Sequence, residues 1–123
     1  MPKILIVDDE PDITTIMKIG LRKYGGFDVD AFNDPEEALC RIKPGVYDLM
    51  LFDMKMPKID GISLCRKARE IDRNAKVCFI TAIDSPGKEQ RQQASKLGVD
   101  CYLKKPISMT DLISEIHALL SLP

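Results

Sequence analysis

The sequence has little of several things, and each scarcity closes a route. It carries a single histidine, His117, which follows Ile116 in an apolar helical stretch far along the chain from any strand end. That position predicts a solvated or half-buried histidine and removes His-based catalysis. The cysteines, Cys40, Cys65, Cys78 and Cys101, show no CxxC spacing. Each falls in an apolar stretch, where free cysteine behaves as a small hydrophobe, so four reduced core thiols are expected instead of a metal or disulfide framework. No run of about 18 apolar residues is present, so no membrane span is expected. Met1 leads straight into a strand with neither basic n-region nor apolar h-region, which points to the cytoplasm. Charge of one sign is not in excess either: 18 Lys and Arg face 19 Asp and Glu, giving a net charge of −1. Nothing in that balance favours nucleic acid or an anionic membrane as a partner.

What is present is a repeating pattern. The 123 residues suit one domain spanning residues 1–123 with a core that needs no staples. Apolar strand-like runs cover Lys3 to Val7, Phe27 to Phe32, Leu49 to Phe52, Lys76 to Ile80 and Cys101 to Leu103. They alternate with segments of helical period, the signature of βα units around a parallel sheet. Helix starts are signed at Asp34-Pro35, followed by Glu37, and again at Ser85-Pro86. The first helix offers Ile13, Ile16, Met17, Leu21 and Tyr24 as one face and stops at Gly25-Gly26; the last offers Met109, Leu112, Ile113, Ile116, Leu119 and Leu120. The fourth, "SPGKEQRQQASKLG", gives a core little beyond Ala94 and Leu97, which predicts the most loosely held helix.

The first strand, "KILIV", runs into Asp8, Asp9 and Glu10 and then a proline. An unbroken apolar run reads as a strand buried on both faces, and the acids then lie at its carboxyl end, where open α/β sheets bind ligands. Asp53 follows the third strand, Thr81 ends the fourth, and Lys104-Lys105-Pro106 follow the fifth. In a parallel sheet these ends share one edge. Three carboxylates gathered there repel one another unless a hard cation sits among them, and Mg²⁺ suits that oxygen set. A metal, a lysine and a hydroxyl around one aspartate describe phosphoryl transfer, with Asp53 as nucleophile and Thr81 and Lys105 as partners of the phosphoryl oxygens. Taken singly, each residue has a plainer reading: Asp8 and Asp9 as a helix cap, Asp53 as a loop acid, Thr81 as an ordinary strand residue and Lys105 as a surface charge. Met54 and Met56 read as loop packing around Pro57.

The motifs "LIVDDEPD", "DLMLFDMKMPKIDG", "FITA" and "YLKKP" together resemble the receiver domains of two-component response regulators, in family order and spacing along the chain. The resemblance implies a single-domain (βα)5 flavodoxin-like three-layer sandwich, its parallel sheet ordered 2-1-3-4-5; the chemotaxis member of this family is a standard instance of that order. It also implies roles. Asp53 resembles the aspartate phosphorylated by a sensor histidine kinase or phosphotransfer protein. Asp9 and Asp53 would ligate Mg²⁺ directly, Asp8 through water and Lys55 through its backbone carbonyl. Thr81 and Lys105 resemble the phosphate-sensing pair, Lys105-Pro106 the bond that is usually cis, and Tyr102 the aromatic switch. The fourth helix, fifth strand and fifth helix would form the face read by a downstream effector or output domain.

Lys55 and Ile83 stand at the two variable positions that tune hydrolysis in that family, and a long cationic stem and a branched apolar residue suggest a long-lived phosphoform. No output domain follows the last helix, so direct nucleic-acid binding by this domain is not expected. Two alternatives belong to other classes. A Mg²⁺-dependent phosphatase with an aspartate nucleophile, of the haloacid dehalogenase type, expects D-x-D, and Asp53 is instead followed by Met54-Lys55, so turnover of outside substrates lacks its general acid/base. A phosphate-independent docking module would keep the fold and discard the chemistry.

Overall fold

Side chains of successive strand residues point to opposite faces, so an apolar run survives unbroken only if both faces are covered. The computed structural model, which describes residues 1–82, 87–99 and 101–122, realises this with five parallel strands in the order β2-β1-β3-β4-β5. The elements are β1 (Lys3–Val7), α1 (Pro11–Gly25), β2 (Asp28–Phe32), α2 (Pro35–Arg41), β3 (Leu49–Asp53), α3 (Gly61–Ile71), β4 (Lys76–Thr81), α4 (Lys88–Lys96), β5 (Tyr102–Lys104) and α5 (Met109–Leu119). The fold is the expected three-layer one, and strand ends differ from expectation by a residue or so.

Alternation along the strands divides the core in two. Leu5, Val7, Met50, Phe52, Val77 and Phe79 pack with Ala38 of α2, Leu64, Cys65 and Ala68 of α3 and Ala94 of α4. Ile4, Ile6, Leu49, Leu51, Cys78 and Ile80 face the other way onto Met17 and Leu21 of α1 and Leu112 and Ile116 of α5. Each fully buried Val, Leu, Ile, Phe or Met side chain among them contributes roughly 1.5–3 kcal/mol relative to exposure. Of α4, only Ala94 is fully buried among the described residues, in keeping with its sparse apolar content. Met54 and Met56 are buried in packing.

Helix starts follow their caps. Asp34 accepts the Glu36 backbone N–H at 3.0 Å ahead of Pro35, and Asp60 and Ser108 do the same for α3 and α5. The start expected at Ser85-Pro86 lies outside the described residues. Gly26 ends α1 at φ 69°, a left-handed conformation that costs a Cβ-bearing residue about 1 kcal/mol or more.

Two expectations need correction. Ile16 and Tyr24 do not join the buried stripe of α1; they are 66% and 70% exposed. The helix meets one sheet face, and Met17 and Leu21, one turn apart, already span that contact. The cysteines are not four reduced core thiols either. Cys78 and Cys101 form a disulfide, Cys65 is buried and free, and Cys40 is exposed. Strand pairing explains the bond: β4 and β5 are neighbours, with Phe79 opposite Tyr102, so the preceding residues of the two segments lie side by side although 23 positions separate them. His117 is half-buried, its ring edge-on to Phe27 at 5.8 Å.

Candidate phosphoacceptor site

The carboxyl ends of β1, β3, β4 and β5 meet at one edge. Asp8 follows β1 directly and is 1% exposed. Its backbone N–H continues the ladder to the Phe32 carbonyl at 3.1 Å, and its Oδ1 accepts the Glu10 N–H at 3.0 Å. Asp8 and Asp9 are not spent as a helix cap: the α1 cap position is Glu10, with no side-chain cap bond. Carboxylate oxygens of Asp8, Asp9 and Glu10 lie within 4.8 Å of one another.

Asp53 closes β3 and is nearly buried. Its Oδ1 accepts the Lys55 backbone N–H at 3.3 Å. The loop that follows is pinned by the Met54 N–H donating to the Ile80 carbonyl and the Gly61 N–H donating to the Met54 carbonyl, both at 3.0 Å. Gly61 is where the D-G of the motif acquires its reason: a Cβ there would overlap the Asp53 carbonyl oxygen and press on Met54. Only a glycine lets α3 begin this close behind the aspartate.

Lys105 reaches into the acids from beyond β5, its side chain 15% exposed. Its Nζ stands 2.7 Å from Asp8 Oδ2, 3.6 Å from Asp53 Oδ2 and 3.7 Å from Glu10 Oε1. Asp8 Oδ2 is buried and has no regular hydrogen-bond partner among the described residues, so the lysine meets it as a charge pair. The Lys105–Pro106 peptide is cis, and the Lys105 N–H donates to the Thr81 carbonyl at 2.8 Å. Thr81, buried, thus ends its strand beside the lysine. Tyr102 lies farther back on β5, its ring 5.9 Å from Phe79 and 5.0 Å from the Arg91 guanidinium.

Electrostatics follow from this crowding. Burial, then the Asp8 charge, push the Asp53 carboxyl up from 3.8 to about 6; Lys105 and the Lys55 N–H pull it down, and contact with Asp9 raises it again. Burial disfavours the Lys105 ammonium, but the Asp8 contact and the charges of Asp8, Asp53 and Glu10 outweigh it and hold the lysine above its usual range.

Of the residues singled out from sequence, Asp8, Asp9, Asp53, Thr81 and Lys105 converge at this edge. Lys55 supplies its backbone N–H there while its side chain is exposed, and Ile83 lies outside the described residues. Glu10 went unrecognised as a site residue although it stands in the same acidic run. Asn33 went unrecognised too: its Nδ2 donates to the Asp8 carbonyl at 3.0 Å and to Thr14 Oγ1 at 2.8 Å, tying the acidic loop to α1. Nothing in the local pattern of a lone Asn after β2 marks that role.

The donor set is all oxygen, which suits a hard cation such as Mg²⁺. The one buried Asp8 oxygen without a regular hydrogen bond is of the same character, so the residues fit the ion.

A family model described as the response regulator receiver domain matches residues 4–117. The chain is 34% identical over 118 residues to the transcriptional regulatory protein TrcR of Mycobacterium tuberculosis, an alignment covering 96% of this chain and 45% of that protein. It is likewise 34% identical over 118 residues to the alkaline phosphatase synthesis transcriptional regulatory protein PhoP of Bacillus subtilis, covering 96% and 48%. The chain therefore spans about half the length of these curated relatives. Among solved structures, a CheY-like receiver domain protein of Methanospirillum hungatei superposes with a TM-score of 0.88 at 30% identity, covering 98% of this chain and 94% of that one. The Francisella response regulator 1452 receiver domain does so at 0.81 and 35%, covering 98% of each.

Proposed function

The chain belongs to the response regulator receiver family, and from that premise we propose that Asp53 takes a phosphoryl group from a sensor histidine kinase or a phosphotransfer protein of a two-component system, in the cytoplasm. The observation that carries this reading is the position of Lys105, whose ammonium stands between Asp8 and Asp53 at 2.7 Å and 3.6 Å. A cation held there by two carboxylates is a ready partner for the oxygens of a phosphoryl group on Asp53.

Asp53 attacks through an oxygen that no helix cap occupies. Asp8 and Asp9, with Asp53 and the Lys55 carbonyl, are the residues we assign to Mg²⁺, and Glu10 flanks them. The ion, when bound, lowers the repulsion among these acids and draws charge off the transferring phosphoryl group. Thr81, at the end of β4, donates its hydroxyl to a phosphoryl oxygen, and Lys105 pairs with another. Once Asp53 carries a dianion, both residues have a contact worth moving for.

The readout is the face of α4, β5 and α5, with Tyr102 as the residue that follows Thr81 inward. The thin packing of α4 supports this, because a helix held by one fully buried alanine moves at small cost. The gain from a few charge-assisted contacts has to exceed the gap between the two arrangements. A downstream effector or output domain reads that face; the relatives are transcriptional regulators about twice this chain's length. The domain itself consumes no outside substrate in this reading. No helix among the described residues is long and apolar enough to cross a membrane.

Incubation with acetyl phosphate and Mg²⁺ followed by intact mass tests the proposal. One phosphoryl adduct, lost in Asp53→Asn, is expected. Many turnovers of small phosphoesters would favour the phosphatase alternative, and no adduct would favour a phosphate-independent docking module.

A further inference from the structure

The two strands that bring Thr81 and Lys105 to the site are also joined covalently, at a point away from it. Cys78 of β4 and Cys101, the residue before β5, form a disulfide with Cα atoms 4.8 Å apart. The Phe79 N–H donates to the Cys101 carbonyl at 3.0 Å, and Phe79 faces Tyr102 while Thr81 faces Lys104. The bond therefore lies just before the first rung of a ladder whose last rung is at the site. Its sulfurs belong to the core under α1 and α5, whereas the Tyr102 ring packs on the opposite face.

The two residues differ in burial. Cys78 is fully buried and Cys101 only partly so, which makes Cys101 the end of the bond nearer to an incoming thiolate. The β5 strand has three residues, so few ladder bonds hold it to β4 and a covalent tie is a large share of what fixes their separation. Disulfides in a thiol-rich compartment are mostly transient, made and broken against the low-molecular-weight pool.

We propose that Cys78–Cys101 is a thiol–disulfide exchange site for low-molecular-weight thiols of the glutathione class, and that its state sets how readily the β4–β5 edge rearranges on phosphorylation. The second half rests on the phosphoacceptor reading above; the first does not. In the reducing direction a thiolate attacks the Cys101 Sγ, the Sγ–Sγ bond breaks, and the electron pair leaves on the Cys78 Sγ, which takes a proton. A second thiolate then attacks the sulfur of the first thiol in the mixed disulfide. Cys101 leaves as a thiolate and is protonated, and the two small thiols depart as their own disulfide. Two protein thiols are gained and two small thiols are oxidised, so electrons balance; the small disulfide drives the reverse. With the bond intact, β4 and β5 resist relative displacement, which opposes the inward shift of Thr81 and Tyr102.

The intact chain, equilibrated at a series of ratios of reduced to oxidised glutathione, is quenched with N-ethylmaleimide under denaturing conditions and weighed. Of the 4 cysteines, all four are expected to be alkylated at the reducing end, and two at the oxidising end, where Cys78 and Cys101 are paired. A constant count of four, or of two, across the series overturns the exchange site. Acetyl phosphate uptake is then compared in oxidised chain, reduced chain and the Cys78→Ser/Cys101→Ser double variant. Reduced chain and double variant are expected to match and to take up phosphate at least about twofold faster than oxidised chain. Equal rates in oxidised and reduced wild type overturn the coupling even should the double variant fold poorly. No uptake in any form overturns the phosphoacceptor reading and the coupling with it, while the alkylation series still decides the exchange site.

Discussion

The Lys105 ammonium lies 2.7 Å from Asp8 Oδ2, and that carboxylate is 1% exposed. It is the sole cationic side chain among the described residues that contacts Asp8, so removing it leaves a buried charge uncompensated. Lys105→Ala is expected to lose about 3 kcal/mol of stability in metal-free buffer. Millimolar Mg²⁺ should recover much of that loss by neutralising the same acids. Urea melts with EDTA and with Mg²⁺ check both; an equal loss in the two buffers would count against Asp8 as part of a cation site.

Asp53 gives the opposite sign. Its folded pKa, about 6, exceeds the ordinary 3.8. The protonated form therefore stabilises the fold fully below pH 3.8, and this contribution disappears as pH rises through about 6. At pH 7 the ionised carboxyl is a strain on the metal-free fold, and Asp53→Asn should be more stable than wild type by about 1–3 kcal/mol. The difference should shrink as pH falls from 7 to 5. Denaturant midpoints across that range provide the measurement.

Gly61→Ala places a methyl against the Asp53 carbonyl. A cost of about 1–3 kcal/mol is expected from overpacking. Because the displaced backbone carries the acceptor, phosphoryl uptake should fall as well. Thermal melts and the acetyl phosphate assay, run on one preparation, test the pair of effects.

Lys55, two residues after Asp53, donates its N–H to the Asp53 carboxylate at 3.3 Å, and its side chain is exposed. If that stem hinders water, the phosphoform of Lys55→Asn should decay about threefold faster than wild type, a barrier change under about 1 kcal/mol. Decay followed by intact mass after removal of the donor decides it.

The free cysteines should separate by reactivity. Cys40 is exposed and Cys65 buried; burial pushes the Cys65 thiol up to about 11, against the pull of Arg69 and Arg66. At pH 8 native chain should add one equivalent of iodoacetamide at Cys40 and alkylate Cys65 at least about tenfold more slowly. Peptide mapping of a time course reads the ratio.

Much of this protein was legible along the chain because its signals are local. Five apolar runs without alternation require cover on both faces, and their regular exchange with helical segments leaves a parallel sheet as the natural arrangement. The acids after β1, Asp53, Thr81 and the Lys105-Pro106 pair each follow a strand, and parallel strands carry such residues to one edge whatever the rest of the packing does. Periodicity was a poorer guide to α1, where Ile16 and Tyr24 satisfy the helical spacing yet face solvent; spacing marks a stripe but not the width of the surface that covers it.

Which residues reach the carboxyl edge of the sheet was already fixed along the chain, since strand direction and side-chain alternation are properties of short segments. Which of them touch came from long-range packing: that Lys105 pairs with Asp8 more closely than with Asp53, that Glu10 and Asn33 contact the same residues, that Gly61 must lack a Cβ, and that Cys78 meets Cys101. Those facts depend on the lateral register of strands and loops far apart in sequence. Such register is fixed by the sum of packing across both cores, which no single stretch of chain contains.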